Sequence, residues 1–160
     1  MANGRNIVIE LLPESAPNTV NSFIYTASRG YLDHHAIERI VPGNWVDVSY
    51  TAFGKKECRY LIPNEFELNP DVEPLDSHPG SVCMGGYGEA GLAGCEFFFP
   101  LRDCPDHKGI YPVFGRVLEG MDEVYRLEKV ETVPVTDFPI EGVEVNRPVK
   151  PEIIERVELE

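Results

Sequence analysis

Short apolar or alternating runs recur along the chain between glycines and prolines. Eight of them have the length and the β-branched or aromatic content of strands: Ile7 to Leu11, Arg39 to Val41, Trp45 to Tyr50, Arg59 to Ile62, Ser81 to Met84, Glu96 to Leu101, Val113 to Leu118 and Ile153 to Leu159. Fourteen prolines and 14 glycines supply the turns between them. In the last run Ile153, Val157 and Leu159 point one way, as a strand requires. The segment from Asp137 to Pro151 is rich in Pro and Glu, has no clear period, and reads as a loop.

Two segments carry a helical period instead. From Pro17 to Arg29, Val20, Phe23 and Ile24 recur at three- and four-residue spacing, with Ser15 as a candidate N-cap and Gly30 as the stop. From Met121 to Lys129, Met121, Val124, Tyr125 and Leu127 fall largely on one side. The pattern predicts a mainly β domain, a closed barrel with two helices over its ends, because closure removes exposed strand edges. There is no internal repeat or low-complexity stretch to divide it.

Composition narrows the range of functions. A chain of 160 residues that is 42% apolar fits one domain with a real core. Twenty-seven acidic against 14 basic residues give a formal charge of −13, which repels a polyanion and argues against nucleic acid. No apolar run is long enough to span a bilayer. Glu10 interrupts the one candidate for a signal segment, so the expected location is cytoplasmic. The four cysteines, Cys58, Cys83, Cys95 and Cys104, form no CxxC pair and are expected to be reduced, with Cys83 and Cys95 as small core residues.

Four blocks carry more information. They are Glu10-Leu11-Leu12-Pro13-Glu14-Ser15-Ala16-Pro17-Asn18-Thr19-Val20, Arg39-Ile40-Val41-Pro42-Gly43, Gly94-Cys95-Glu96-Phe97-Phe98-Phe99 and Val113-Phe114-Gly115-Arg116-Val117. In order and spacing they resemble the cyclophilin family of peptidyl-prolyl isomerases across nearly the whole chain, with the likeness thinnest from Thr132 to Pro151. The spacing from Met84 to Phe98 and the loop from Asp103 to Tyr111 look most like bacterial members. The resemblance implies a single domain over residues 1–160, an eight-stranded antiparallel barrel capped by two α-helices. It also implies isomerisation of Xaa-Pro bonds in peptides and unfolded proteins by a monomer with no cofactor. Rotation of such a bond needs no nucleophile and no metal. It needs an apolar pocket for the proline ring, a donor for the twisted amide and contacts that anchor the flanking peptide.

Arg39 stands at the place of the family's catalytic arginine, and Phe98 at that of the phenylalanine on the pocket floor. Read without the resemblance, the first would be a surface arginine and the second a core aromatic. Around them the chain departs from the family. Asn44 replaces an apolar wall, Trp45 gives a bulkier apolar face, and Asp47 and Glu96 replace two glutamines. Gly85 and Gly86 replace residues that line the groove while keeping backbone groups for an extended peptide. His107 stands where an apolar residue closes the pocket, and Tyr111 where the family often has histidine. If Asp47 and Glu96 both approach Arg39, two carboxylates pin the guanidinium and compete with the substrate for its donors. The expectation is then weak isomerase activity. The alternative is a non-catalytic module on the same fold that binds a Pro-containing or basic ligand. A metal site from His34, His35, Cys104, Asp106 and His107 fits no familiar ligand spacing, and the run Gly85 to Gly88 lacks the strand–loop–helix context of a phosphate loop.

Overall fold

The computed structural model describes residues 1–50, 54–136 and 142–160. In chain order the elements are β1 (Val8–Leu11), α1 (Pro17–Ser28), β2 (His35–Ile37), β3 (Arg39–Val41), β4 (Trp45–Asp47), β5 (Ile62–Pro63), α2 (Glu65–Leu68), β6 (Ser81–Met84), β7 (Leu92–Ala93), β8 (Phe97–Pro100), β9 (Val113–Glu119), α3 (Met121–Glu128), β10 (Thr132–Pro134), β11 (Asn146–Pro148) and β12 (Glu152–Ile154). Single 3₁₀ turns occupy Lys56–Cys58, Gly88–Ala90 and Pro105–His107. Six strands form one antiparallel sheet in the order β1-β9-β6-β8-β4-β3, and three further antiparallel ladders join β10 to β11, β12 to β2 and β5 to β7.

Alternation along these strands separates two faces. Ile40, Val46, Val82, Met84, Phe97, Phe99 and Phe114 point into the main core, where Val20, Phe23 and Ala27 of α1 and Val124 and Leu127 of α3 also lie. The residues between them face the other way. Cys83, Phe98 and Val113 form a second, smaller cluster against Trp45 and Tyr111. Register links this second face into one row: Arg39 opposes Asp47, Asp47 opposes Phe98, Phe98 opposes Cys83, and Cys83 opposes Val113. A one-residue slip would exchange the two faces, so the buried phenylalanines of the core fix the register of the row.

Both long helices lie close to the expected bounds, but α1 is capped differently. Its N-cap is Ala16, not Ser15, with Pro17 in the first turn. The freed amides of Asn18 and Thr19 donate instead to the Glu65 carboxylate of α2, at 3.4 and 2.9 Å. Glu65 is fully buried and also accepts from the Asn69 amide at 2.6 Å. A carboxylate 46 residues away in sequence therefore satisfies the helix start and the positive end of its dipole. At the other end Gly30 has φ +66°, and the N–H groups of Gly30 and Tyr31 reach the carbonyls of Ala27 and Thr26, a Schellman closure that favours glycine. Ile24 and Tyr125, expected on the apolar helix faces, are exposed.

Several runs are trimmed where ladder partners end. The Trp45 run stops as a strand at Asp47, although Val48 still donates to the Phe97 carbonyl. The Arg59 run keeps only β5, because the chain enters it from the 3₁₀ turn at Lys56–Cys58. The final run reduces to β12, beyond which Val157 donates to the Asp33 carboxylate instead of to a strand. Part of the segment expected as a loop is strand: β11 pairs with β10, while residues 137–141 lie outside the described residues. Replacing Glu65 with Ala should cost about 3 kcal/mol in urea unfolding, because one buried and two half-buried donors lose their acceptor together. A loss below about 1 kcal/mol would mean that the helix start does not depend on this carboxylate.

Candidate active site

Arg39 opens β3 with its side chain only 13% exposed. Its Nη1 donates to Asp47 Oδ2 at 2.9 Å, and its Nε donates to the backbone carbonyl of Glu144 at 2.8 Å. The guanidinium carbon lies 4.6 Å from the Tyr50 ring centroid and 5.5 Å from that of Trp45. Aromatic faces hold the planar cation while two bonds occupy part of its five-donor fork. The other N–H groups make no bond among the described residues.

The two acidic residues differ in what they do. Asp47 is 5% exposed, and its Oδ1 has no partner among the described residues. Burial raises its pKa to about 6, against the pull of Arg39. Glu96 sits two residues before Phe98 on the same side of the strand and over Gly85, where an added Cβ would lie 3.5 Å from Glu96 Oε2. Burial first, and then the charge of Asp47, raise the Glu96 pKa to about 8, with Arg39 opposing. Among the described residues Glu96 makes no ion pair with Arg39, which corrects the expectation that both carboxylates clamp it. Two like charges in one desolvated pocket cannot both persist, and the one bonded to the guanidinium keeps its charge. At neutral pH Asp47 is ionised and Glu96 is a neutral acid. A neutral carboxyl has one donor and one acceptor group, as an amide does.

Beside this polar end the rings gather around Phe98. Its centroid lies 6.3 Å from Trp45, 5.7 Å from His107 and 5.9 Å from Tyr111. His107 also meets Trp45 at 5.6 Å and Tyr111 at 4.9 Å. These edge-to-face and tilted contacts leave Phe98 only 6% and His107 8% exposed. Burial lowers the His107 pKa, against the nearby Asp106, so the ring is neutral, and its Nδ1 has no partner among the described residues. The 3₁₀ turn at Pro105–His107 places it, with the N–H groups of Ile110 and Tyr111 both donating to the His107 carbonyl.

Other expected residues stand differently. Asn44 is at the exposed tip of the β3–β4 hairpin, where its Oδ1 accepts from Arg102 Nε at 2.9 Å. Gly85 spends both backbone groups internally: its N–H donates to Glu96 and its carbonyl accepts from Gly94. A peptide would find the N–H spent, while the carbonyl keeps its second lone pair. Gly86 has φ +129°, and a Cβ there would come within 2.5 Å of Gly94 N, so close approach of two backbones requires glycine. The histidines and thiols named as conceivable ligands are dispersed. His34 faces Glu155, His107 lies among the rings, and no metal-holding group of three His, Cys, Asp or Glu occurs among the described residues.

Two contributors had no sequence signal. Tyr50 reaches Arg39 although alternation from Trp45 and Asp47 would turn it to the other face, because the strand ends at Asp47 and the phase changes. Glu144 acts through its carbonyl, which no side-chain pattern reveals.

The raised Glu96 pKa has a consequence for stability. The folded protein holds this proton up to about pH 8, whereas the unfolded chain releases it near 4.5. The favourable contribution is therefore full below pH 4.5 and is lost as pH rises to 8. Glu96→Gln should raise Tm by an amount that grows steadily between those two values. Melting curves across that range check it, and an offset independent of pH would contradict it.

The model of the cyclophilin type peptidyl-prolyl cis-trans isomerase/CLD family matches residues 1–158. A peptidyl-prolyl cis-trans isomerase-like 1 from Gibberella zeae is 30% identical over 155 residues, which is 96% of this chain and 91% of that protein. A mouse peptidylprolyl isomerase domain and WD repeat-containing protein 1 is 30% identical over 143 residues, 88% of this chain, and there the chain spans only 22% of the relative's length. The fold is similar to that of a Cryptosporidium parvum cyclophilin type peptidyl-prolyl cis-trans isomerase solved in the presence of the dipeptide Ala-Pro. The TM-score is 0.72 at 18% identity, over 94% of this chain and 89% of that one. With a family match over almost its full length and a relative of its own size, this chain belongs to the cyclophilin-type peptidyl-prolyl cis-trans isomerases.

Proposed function

We propose that the protein isomerises Xaa-Pro bonds in peptides and folding proteins, with Arg39 as the donor and at a rate below that of a family site with unencumbered arginine. The observation that carries this reading is the row Arg39–Asp47–Phe98, which sets a cationic donor two strands from an aromatic floor. Rotation about the bond crosses a barrier of roughly 18–20 kcal/mol, and at its top the proline nitrogen loses amide resonance and gains a lone pair. A free N–H of Arg39 meets that lone pair, while Phe98, Trp45, Tyr111 and His107 grip the ring. Bonds that strengthen only in the twisted state lower the barrier.

Two features support a reduced rate. Asp47 holds one donor edge of Arg39, and a charge-assisted bond of this kind is worth about 1.5–3 kcal/mol, so loosening it costs up to roughly a hundredfold. The rings also cover Phe98, so a proline must displace His107 or Tyr111 to reach it. That coverage favours a second reading, a peptide-binding module without turnover.

Asn44 and Gly86 would shape the rim of the groove, and Glu96 in its neutral form would do the hydrogen bonding of the family's glutamine. Closure of the ladders into an eight-stranded barrel with two capping helices belongs to the same proposal, as does a monomer that acts without a cofactor. Four buried free thiols support a reducing, cytoplasmic setting. Exchange NMR on an Ala-Pro peptide should show cis–trans exchange faster with the protein than without it, and Arg39→Ala should lower that catalysis about a hundredfold. Exchange no faster than in peptide alone would move the reading to the binding module.

A further inference from the structure

One carboxylate oxygen of the site has no donor among the described residues. Asp47 Oδ2 is engaged by Arg39, but Oδ1 is buried and unpartnered among the described residues, and buried charged oxygens left unpaired are costly. The charge around it is lopsided. Facing Glu96 are Arg39 from β3, Asp47 from β4, Tyr50 beyond it, Tyr111 ahead of β9 and the thiol of Cys95. Arg39 is the one cation in that set, and it is already bonded to Asp47 and Glu144. Glu89 adds its field at Tyr111 and Asp106 at His107. Arg102, the other cation acting at His107, is spent on Asn44 and on the Asp103 carbonyl.

We infer that the site selects a proline-containing peptide with a Lys or Arg beside the proline, whose cation bonds Asp47 Oδ1 and lies against Glu96. This rests on the reading that a peptide binds across Arg39 and Phe98. The ring displacement that admits a proline opens the same face, since Asp47 and Phe98 are register partners. The stem of a Lys or Arg side chain would pack along Trp45, with its charge near the indole. A chain of charge −13 also draws basic peptides toward it from a distance. Because a cation beside Glu96 favours the carboxylate, binding releases a proton.

The test compares a short Lys-Pro peptide with its Gln-Pro counterpart on the full chain at pH 7. Calorimetry in two buffers of different ionisation heat gives affinity and proton release, and exchange NMR on both peptides gives catalysis. The expected result is a preference of about tenfold for the Lys peptide, a proton released with that peptide alone, and loss of the release in Glu96→Gln. Equal affinities with catalysed exchange would overturn the selectivity and leave the isomerase reading standing. Preference with proton release but without exchange would uphold the selectivity and remove the catalysis. Binding of neither peptide would overturn both.

Discussion

The pair between Arg39 and Asp47 is the interaction on which the rest of the site depends. It spans the two strands of one hairpin, and both partners are more than four-fifths buried. A guanidinium taken from water needs compensation, and here a carboxylate and a backbone carbonyl take two of its donors while two aromatic faces lie against it. Each of those contacts fixes something else. Asp47 stays charged because Arg39 is bonded to it, and Glu96 holds a proton because it is buried and, next, because Asp47 is charged beside it. The carbonyl of Glu144 ties the chain ahead of β11 to β3.

This arrangement trades mobility for orientation. An arginine held on three sides loses little entropy when a substrate arrives, which favours catalysis by a preorganised donor. The same bonds resist any movement toward the amide. The two acids of the site have unequal effects, because burial and mutual repulsion divide the roles. One acid becomes the anchor of the arginine, and the other remains a neutral hydrogen-bonding group.

Much of the fold was legible in the sequence because it is set by alternation and turns. Phe97, Phe98 and Phe99 read as a strand with one odd-facing ring, and that ring lies in the second cluster as the period requires. Arg39 was legible from its place before Val41-Pro42-Gly43, and the helices from their spacing and from Gly30. What escaped depends on contacts between distant parts of the chain. Glu65 carries no signal in the sequence, and only α2 brings it to the amides of α1. The count of carboxylates on Arg39 was wrong because sequence places charges on a face but does not say which one gives up its charge. His107 stands where the family has an apolar residue, and its ring packs as one among four, a contact no side-chain pattern reveals.

The most direct test is a ¹³C NMR titration of the side-chain carboxyls of Asp47 and Glu96. The account requires Asp47 to ionise near pH 6 and Glu96 to follow near pH 8, so that one is charged and the other neutral at pH 7. If both carboxyls are ionised at pH 7, or Glu96 ionises before Asp47, the ion pair does not govern the site as described.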